Sequence, residues 1–180
     1  MELVLFKELI LGQYEAALSM LDMAIRKCPA PLWNGPVANN TFSESAFHVL
    51  FFGDLYLGID VDAQKTQSFH QANAEHFRDY EELEPRKPTY TYERAFVEQY
   101  LVFCRDKARR VMAEETSESL AAPAGFSWLD TSRAEVHLYN IRHLQHHAAQ
   151  LIMRLRLENS DAELPWVEPV GGKHTKLPGR

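Results

Sequence analysis

Apolar residues recur every three or four positions through four long stretches of the chain, which is the spacing of one face of an α-helix. The first stretch predicts a helix from about Glu2 to Lys27. Pro29 ends it, because proline lacks the backbone N–H that a helix interior requires. Residues 28–40 contain three prolines, three asparagines and a glycine, so this segment is predicted to be a loop.

The second stretch begins with Thr41 and Glu44, whose three-residue spacing is the capping-box pattern of a helix start. This helix is predicted to end near Leu57, because the following Gly58 is a common helix stop. Residues 59–88 show only a weak pattern, which allows one short helix over about residues 71–82.

The third helix is predicted from about Tyr92 to Glu115. A linker over residues 117–129, with a proline and a glycine, separates it from the fourth helix. Ser132 and Glu135 form a second capping box, and the fourth helix runs from there to about Leu157.

The four stretches predict an all-α fold, a four-helix bundle with long connecting loops, because no segment has the pattern of a long strand. The bundle is predicted to occupy residues 1–158 as one domain. Residues 159–180 contain three prolines and three glycines and are predicted to be an irregular C-terminal tail.

Composition narrows the range of partners and locations. The formal net charge of −6 argues against nucleic acid as a partner. No run of about 18 apolar residues occurs, and the charged N-terminal stretch lacks the basic start of a signal peptide, so neither a membrane span nor secretion is expected. Cys28 and Cys104 lie outside any CxxC motif, so we expect unpaired, inert thiols and a cytoplasmic location.

Histidines carry the candidate chemistry. His143 and His147 are four residues apart on the fourth helix, so their side chains point about 40° apart and can hold one metal ion together. The same face carries Tyr139, Asn140 and Gln150, whose polarity suits a solvated pocket better than a plain core.

His48 on the second helix is the candidate third ligand. It shares a face with Phe51, Phe52 and Leu55, and a histidine among apolar residues needs partners for its ring nitrogens. A hydrogen-bonded core histidine meets the same need, and a pair four residues apart also occurs by chance, so spacing leaves both interpretations open. Asp54 lies on another face and is expected to be solvated or in an ion pair.

The remaining histidines are predicted to play no part in the site. His137 lies well off the direction of the pair, and His146 is nearer but splayed to one side. Both are expected to be hydrogen-bonded or solvated. Surface positions are expected for His70, His76 and His174, which lie in weakly patterned segments.

The segment from Tyr139 to Leu151 resembles the last-helix motif of the DinB-like superfamily, which includes the DinB and YfiT-like proteins. Members show H-x-x-x-H followed by a G-Q-L-like ending. Here His143 and His147 are followed by Ala148-Ala149-Gln150-Leu151, with alanine in place of the glycine. The family's other metal histidine lies early in an apolar run of the second helix, and His48 matches it.

The resemblance implies a four-helix bundle, often dimeric, in which His48, His143 and His147 bind a divalent metal. Imidazole ligands suit zinc, nickel, iron and copper alike, and zinc or nickel is the first choice. Relatives include thiol-dependent S-transferases, mycothiol-dependent maleylpyruvate isomerases and a hydrolase-like branch. The hypothesis is therefore a metal-dependent transferase or hydrolase that activates a thiol or water against a small-molecule substrate, with a low-molecular-weight thiol as a candidate co-substrate.

Two other functions stay open at this stage. One is a non-catalytic stress-response or binding module whose metal is structural or absent, and the other is a helical interaction protein whose histidines only pack. Glu44, one turn before His48, is a candidate base or partner of an imidazole N–H, although it also completes the capping box. Tyr139, Asn140 and Gln150 are candidate substrate-pocket residues, with helix packing or surface hydrogen bonding as the alternative.

Overall fold

The computed structural model describes residues 2–78, 90–158 and 164. Within them, four long helices form the body of the fold: α1 Leu3–Lys27, α2 Phe42–Leu57, α6 Arg94–Glu114 and α8 Arg133–Glu158. Four short helices connect them: α3 Val61–Thr66, α4 Ser68–Ala72, α5 Ala74–Phe77 and α7 Ser117–Ala121. A 3-10 turn, Ala30–Leu32, precedes a small antiparallel hairpin of β1 Pro36–Val37 and β2 Asn40–Thr41.

The long helices pack as a four-helix bundle, which confirms the predicted all-α fold. α1 and α2 are diagonal to each other, and each packs against both α6 and α8. α1 and α8 run parallel. Tyr14 contacts His137, and about two turns later on both helices Met20 contacts Gln145. The apolar faces predicted from the three- and four-residue spacing meet in a single core.

Both predicted capping boxes lie at helix starts. Thr41 Oγ1 accepts a hydrogen bond from the Glu44 backbone N–H at 3.1 Å. At the start of α8 the Glu135 carboxylate accepts from the Ser132 N–H at 2.9 Å, and the Glu135 N–H donates to Ser132 Oγ at 3.4 Å. Hydrogen bonds from Thr131 and Ser132 lower the pKa of the Glu135 carboxyl to about 2. The sequence therefore located the starts of α2 and α8 closely.

Three connecting segments are more ordered than predicted. The linker over residues 117–129 contains α7, whose start is capped by Thr116 and Ser119. Residues 28–40 contain the 3-10 turn and most of the hairpin. The short helix predicted near residues 71–82 is wrong in extent, because three helices of four to six residues lie between Val61 and Phe77 instead. Residues 79–82 of that prediction, and the tail from residue 159 apart from Leu164, lie outside the described residues.

A buried ionic network ties α2 to α6 and to the short helices. The Asp54 carboxylate is fully buried, and the Lys107 ammonium lies 2.5 Å from it. The Tyr100 hydroxyl and the Gln64 and Gln67 side-chain amides donate to the same carboxylate at 2.6 to 3.2 Å. The sequence left Asp54 either solvated or in an ion pair, and the structure shows the ion pair. Hydrogen bonds from neighbouring side chains compensate for the burial of its carboxylate.

Arg133 forms a second network at the junction of α2 and α8. Its guanidinium donates to the carbonyls of Tyr56, Leu57 and Gly58 at 2.5 to 2.9 Å. It also forms a 2.9 Å ion pair with Glu115. The last carbonyls of a helix lack partners within the helix, and a buried cation there satisfies them and interacts favourably with the helix dipole.

Both cysteines are buried and unpaired, as predicted. No helix in the described part of the chain has both the length and the apolar character needed to cross a membrane.

Candidate metal centre

The site lies in the groove between α2 and α8. On α2, four side chains spaced four residues apart form one continuous stripe: Glu44, His48, Phe52 and Tyr56. A four-residue step advances a helix by about one turn, so these side chains lie nearly above one another.

The facing stripe on α8 runs in the opposite direction. The ring of His48 lies 5.0 Å from that of His147, and the ring of Tyr56, two turns later on α2, lies 5.1 Å from that of Tyr139, two turns earlier on α8. The helices are therefore antiparallel here. This places histidines opposite histidines at one level of the groove and aromatic rings opposite one another at the next.

Three histidines converge at the first level. One ring nitrogen each from His48, His143 and His147 can be chosen so that all three lie within 4.8 Å of one another. The ring centroids of His143 and His147 are 4.6 Å apart, and those of His48 and His143 are 5.9 Å apart. This cluster is compatible with a single bound metal ion.

Burial keeps these imidazoles uncharged at neutral pH. Loss of solvation, assisted by the neighbouring His147, lowers the pKa of His48 to about 4 and that of His143 to about 3. Burial also lowers the pKa of His147. Metal ligation requires the neutral imidazole with its lone pair, so the cluster is in the ligating state without first losing protons.

The contrast between His143 and the core residue His137 bears on whether the cluster is ordinary packing. His137 is fully buried, and its ring nitrogens contact the Tyr14 hydroxyl at 3.1 Å and the Glu115 carboxylate at 3.0 Å. By contrast, Nδ1 of His143 is buried and has no hydrogen-bond partner among the described residues. His143 therefore has a buried ring nitrogen that the described residues leave available, which is compatible with a metal ligand.

Gln150 determines which nitrogen of His147 carries the proton. Its side-chain carbonyl lies 2.9 Å from Nδ1 of His147, and its amide nitrogen lies 3.0 Å from Nε2 of His146. With the Gln150 carbonyl on this side, Nδ1 of His147 is the donor and its Nε2 keeps the lone pair, because a carbonyl oxygen can only accept. Partners of this kind fix the tautomer and ring orientation of histidines that bind metals. Gln150 was a candidate for lining a pocket or for surface hydrogen bonding, and the structure places it at the surface, hydrogen-bonded to a candidate ligand.

The other candidate residues lie in different surroundings. Glu44 is 4% exposed, and its backbone N–H is engaged by Thr41 at the start of α2. Asn140 is fully buried and donates to the Gly53 carbonyl at 2.9 Å, so it packs α8 against α2. Tyr139 is 36% exposed at the edge of the groove.

The histidines outside the cluster follow the expectations only in part. His137 is hydrogen-bonded, which is one of the two states expected for it, and His146 is exposed. The predicted surface position is wrong for His70, which is buried and stacked on Phe77 with ring centroids 4.0 Å apart. His76 is half-buried, and His174 lies outside the described residues.

Sequence reasoning missed the aromatic continuation of the groove. Phe52 and Tyr56 follow His48 at four-residue steps, and this spacing was the available signal. Trp128 also belongs to this continuation, because its ring contacts Phe126, which contacts Tyr56. It lies in the predicted linker, where no periodicity relates it to α2 or α8.

Comparison with known proteins provides the family. A family model described as the DinB superfamily matches residues 13–151, which include most of α1, all of α2 and α6, and the three clustered histidines. Searches of curated proteins and of solved structures find no significant match. Because the family model spans well over half of the sequence, the chain belongs to the DinB superfamily.

Proposed function

We propose that His48, His143 and His147 bind one divalent metal ion and that the chain is a metal-dependent enzyme of the S-transferase or hydrolase kind. The observation that carries this proposal is the convergence of three neutral ring nitrogens within 4.8 Å of one another. Zinc or nickel is the proposed ion, because both accept imidazole ligands readily.

Three imidazole ligands would leave at least one coordination position open, where a divalent ion would lower the pKa of a coordinated water toward neutrality and would deprotonate a coordinated thiol. The protein's contribution is to hold and orient the ligands. Gln150 keeps the lone pair of His147 on Nε2, and Phe52, 4.8 Å from the ring of His48, excludes water from one side. Glu44, one turn before His48, is the proposed base that accepts a proton from the incoming water or thiol.

Metal binding is tested first. Untagged protein is analysed for zinc and nickel and then titrated calorimetrically with each ion. We expect one ion per chain for the wild type, and a loss of at least a hundredfold in affinity for His48→Ala, His143→Ala and His147→Ala. His76→Ala is the matched control, since it removes a half-buried histidine outside the cluster. Wild-type protein that binds neither ion, or ligand variants that bind like the control, would overturn the proposal.

Activity is tested second, on the metal-loaded protein. Conjugation of glutathione, bacillithiol or mycothiol to electrophilic small molecules, and hydrolysis of activated esters and amides, are measured side by side. Turnover should disappear in His143→Ala. If metal binds but no turnover is found, and chelation unfolds the chain, the metal is structural and the non-catalytic alternative is correct.

We also propose a homodimer, in keeping with the family resemblance. Val4, Leu5 and Leu9 expose 45–65% of their surface on the outer side of α1, which favours a contact there. Sedimentation velocity distinguishes the two states, and a single species with the mass of one chain would contradict the proposal.

A further inference from the structure

The groove between α2 and α8 continues beyond the histidines as an aromatic surface. The ring of Phe52 lies 4.8 Å from that of His48 and 5.9 Å from that of His143. Tyr56 follows one turn later, 6.1 Å from Phe52 and 5.1 Å from Tyr139. An unbroken series of ring contacts therefore leads away from the cluster.

This surface reaches solvent through two large residues. Tyr139 is 36% exposed and Trp128 is 47% exposed. Phe126 connects Trp128 to the groove, with its ring 5.5 Å from that of Trp128 and 5.4 Å from that of Tyr56. Burial is the main reason that the pKa of Tyr56 is raised to about 12, and the Trp128 and Tyr139 side chains also interact with its hydroxyl. Both exposed residues thus lie around one buried tyrosine, next to the candidate metal centre.

A positive charge lies over the outer end of this surface. The guanidinium carbon of the exposed Arg142 is 5.8 Å from the centroid of the Tyr139 ring. Arginine near an aromatic face recognises a planar anion both by stacking and by hydrogen bonding to its oxygens. The combination of exposed aromatic faces and one guanidinium complements a flat molecule that carries a carboxylate.

We propose that the surface formed by Phe52, Tyr139, Trp128 and Arg142 binds the substrate, and that the substrate class is small aromatic carboxylates. The ring stacks on Tyr139 and Trp128, and the carboxylate faces Arg142. Only the assignment of the bound molecule as a substrate rests on the proposed function. Binding itself requires no metal, since none of these four residues belongs to the histidine cluster.

Three probes of matched size separate the contributions to binding. Calorimetry on the full chain, with and without zinc, compares 2-naphthoate with decahydro-2-naphthoate, which keeps the charge but has no aromatic ring, and with 2-naphthamide, which keeps the rings but has no charge. We expect 2-naphthoate to bind about threefold to tenfold more tightly than the saturated acid, since aromatic contacts contribute beyond buried area. The neutral amide should bind about twofold to fivefold more weakly than 2-naphthoate.

Variants locate the binding surface. Tyr139→Leu and Trp128→Leu should each weaken 2-naphthoate binding about threefold to tenfold, and Arg142→Gln should remove the preference for the acid over the amide. Val102→Ala is the control, because Val102 is 54% exposed on α6 and lies outside the groove. Absence of 2-naphthoate binding, equal affinity for the saturated acid, or wild-type affinity in both leucine variants would overturn the inference.

The same measurements keep this inference separate from the metal proposal. His147→Ala should lose zinc and retain 2-naphthoate, whereas Tyr139→Leu should retain zinc. If the wild type binds 2-naphthoate but no metal, the proposed function fails while the aromatic site stands. If the wild type binds metal but no 2-naphthoate, the aromatic site fails while the metal proposal stands.

Discussion

Replacing Gln150 provides the most direct test of how the histidine cluster is held. Gln150→Leu keeps a side chain of similar length but removes the carbonyl that accepts from Nδ1 of His147 at 2.9 Å. Without that acceptor the neutral ring is free to carry its proton on Nε2, which withdraws the lone pair proposed to bind the metal. Gln150→Glu keeps an acceptor at the same position, and a carboxylate makes the imidazole a better ligand.

The size of the effect follows from the exposure of the residue. Loss of a partner that hydrogen-bonds to a ligating histidine typically weakens metal affinity by about tenfold to a hundredfold. Gln150 is exposed, so water replaces part of the lost hydrogen bond. We therefore expect the lower end, about tenfold or about 1.4 kcal/mol, for Gln150→Leu.

Zinc affinity of wild-type, Gln150→Leu and Gln150→Glu proteins is measured by competition with a chromophoric chelator at pH 7.5. Helix content by circular dichroism serves as the control for folding, because Gln150 is exposed. The Glu variant should bind at least as tightly as the wild type. A Leu variant within twofold of the wild type, or a Glu variant weaker than the Leu variant, would refute the tautomer argument.

Three further predictions follow. Below pH 6.5 the unfolded chain takes up a proton at His48 that the folded chain refuses until about pH 4, so the free energy of unfolding of metal-free protein in urea should fall over this interval. His48 alone contributes about 3 kcal/mol to the fall, and His143, whose pKa is lowered to about 3, adds to it; equal stability at pH 7 and pH 4.5 would contradict the prediction. Arg133→Met should cost about 3–5 kcal/mol in urea unfolding, because it removes the cationic partner of the buried Glu115 and leaves the carbonyls at the end of α2 without their donor. Arg109→Met, at a half-exposed pair, should cost under about 1 kcal/mol, and similar costs would contradict the role of burial. Glu44→Gln should leave thermal stability nearly unchanged, because the helix cap uses the backbone N–H of residue 44 and not its side chain. The same variant should reduce any turnover found by about a hundredfold or more, and unchanged turnover would leave Glu44 as a helix-start residue only.

The sequence predicted the features that follow from the geometry of a single helix. The shared face of His143 and His147 follows from their four-residue spacing, and the starts of α2 and α8 follow from their capping residues. The approach of His48 to that pair depends on the antiparallel packing of α2 against α8, which spacing does not contain. The family resemblance supplied that information.

The features that the sequence could not specify depend on contacts between residues distant in the sequence. His70 belongs to a helix of only five residues, too short for periodicity, and its burial comes from stacking on Phe77. The partners of His137 are Tyr14, 123 residues away, and Glu115, 22 residues away, and nothing in the local sequence indicates them. The orientation of Gln150 toward His147 is likewise a matter of side-chain direction, which the sequence does not contain.

The guanidinium of Arg133 has a consequence for sites far from it. By joining the first residue of α8 to the carbonyls at the end of α2, it fixes how far the two helices can slide along each other. His147 lies 14 residues further along α8, about 21 Å away at 1.5 Å per residue. A slip of one residue would displace that imidazole by about 1.5 Å and rotate it by about 100°, out of reach of its counterpart on α2. A substitution at this distant clamp would therefore weaken the proposed metal binding, although Arg133 is not one of the three proposed ligands.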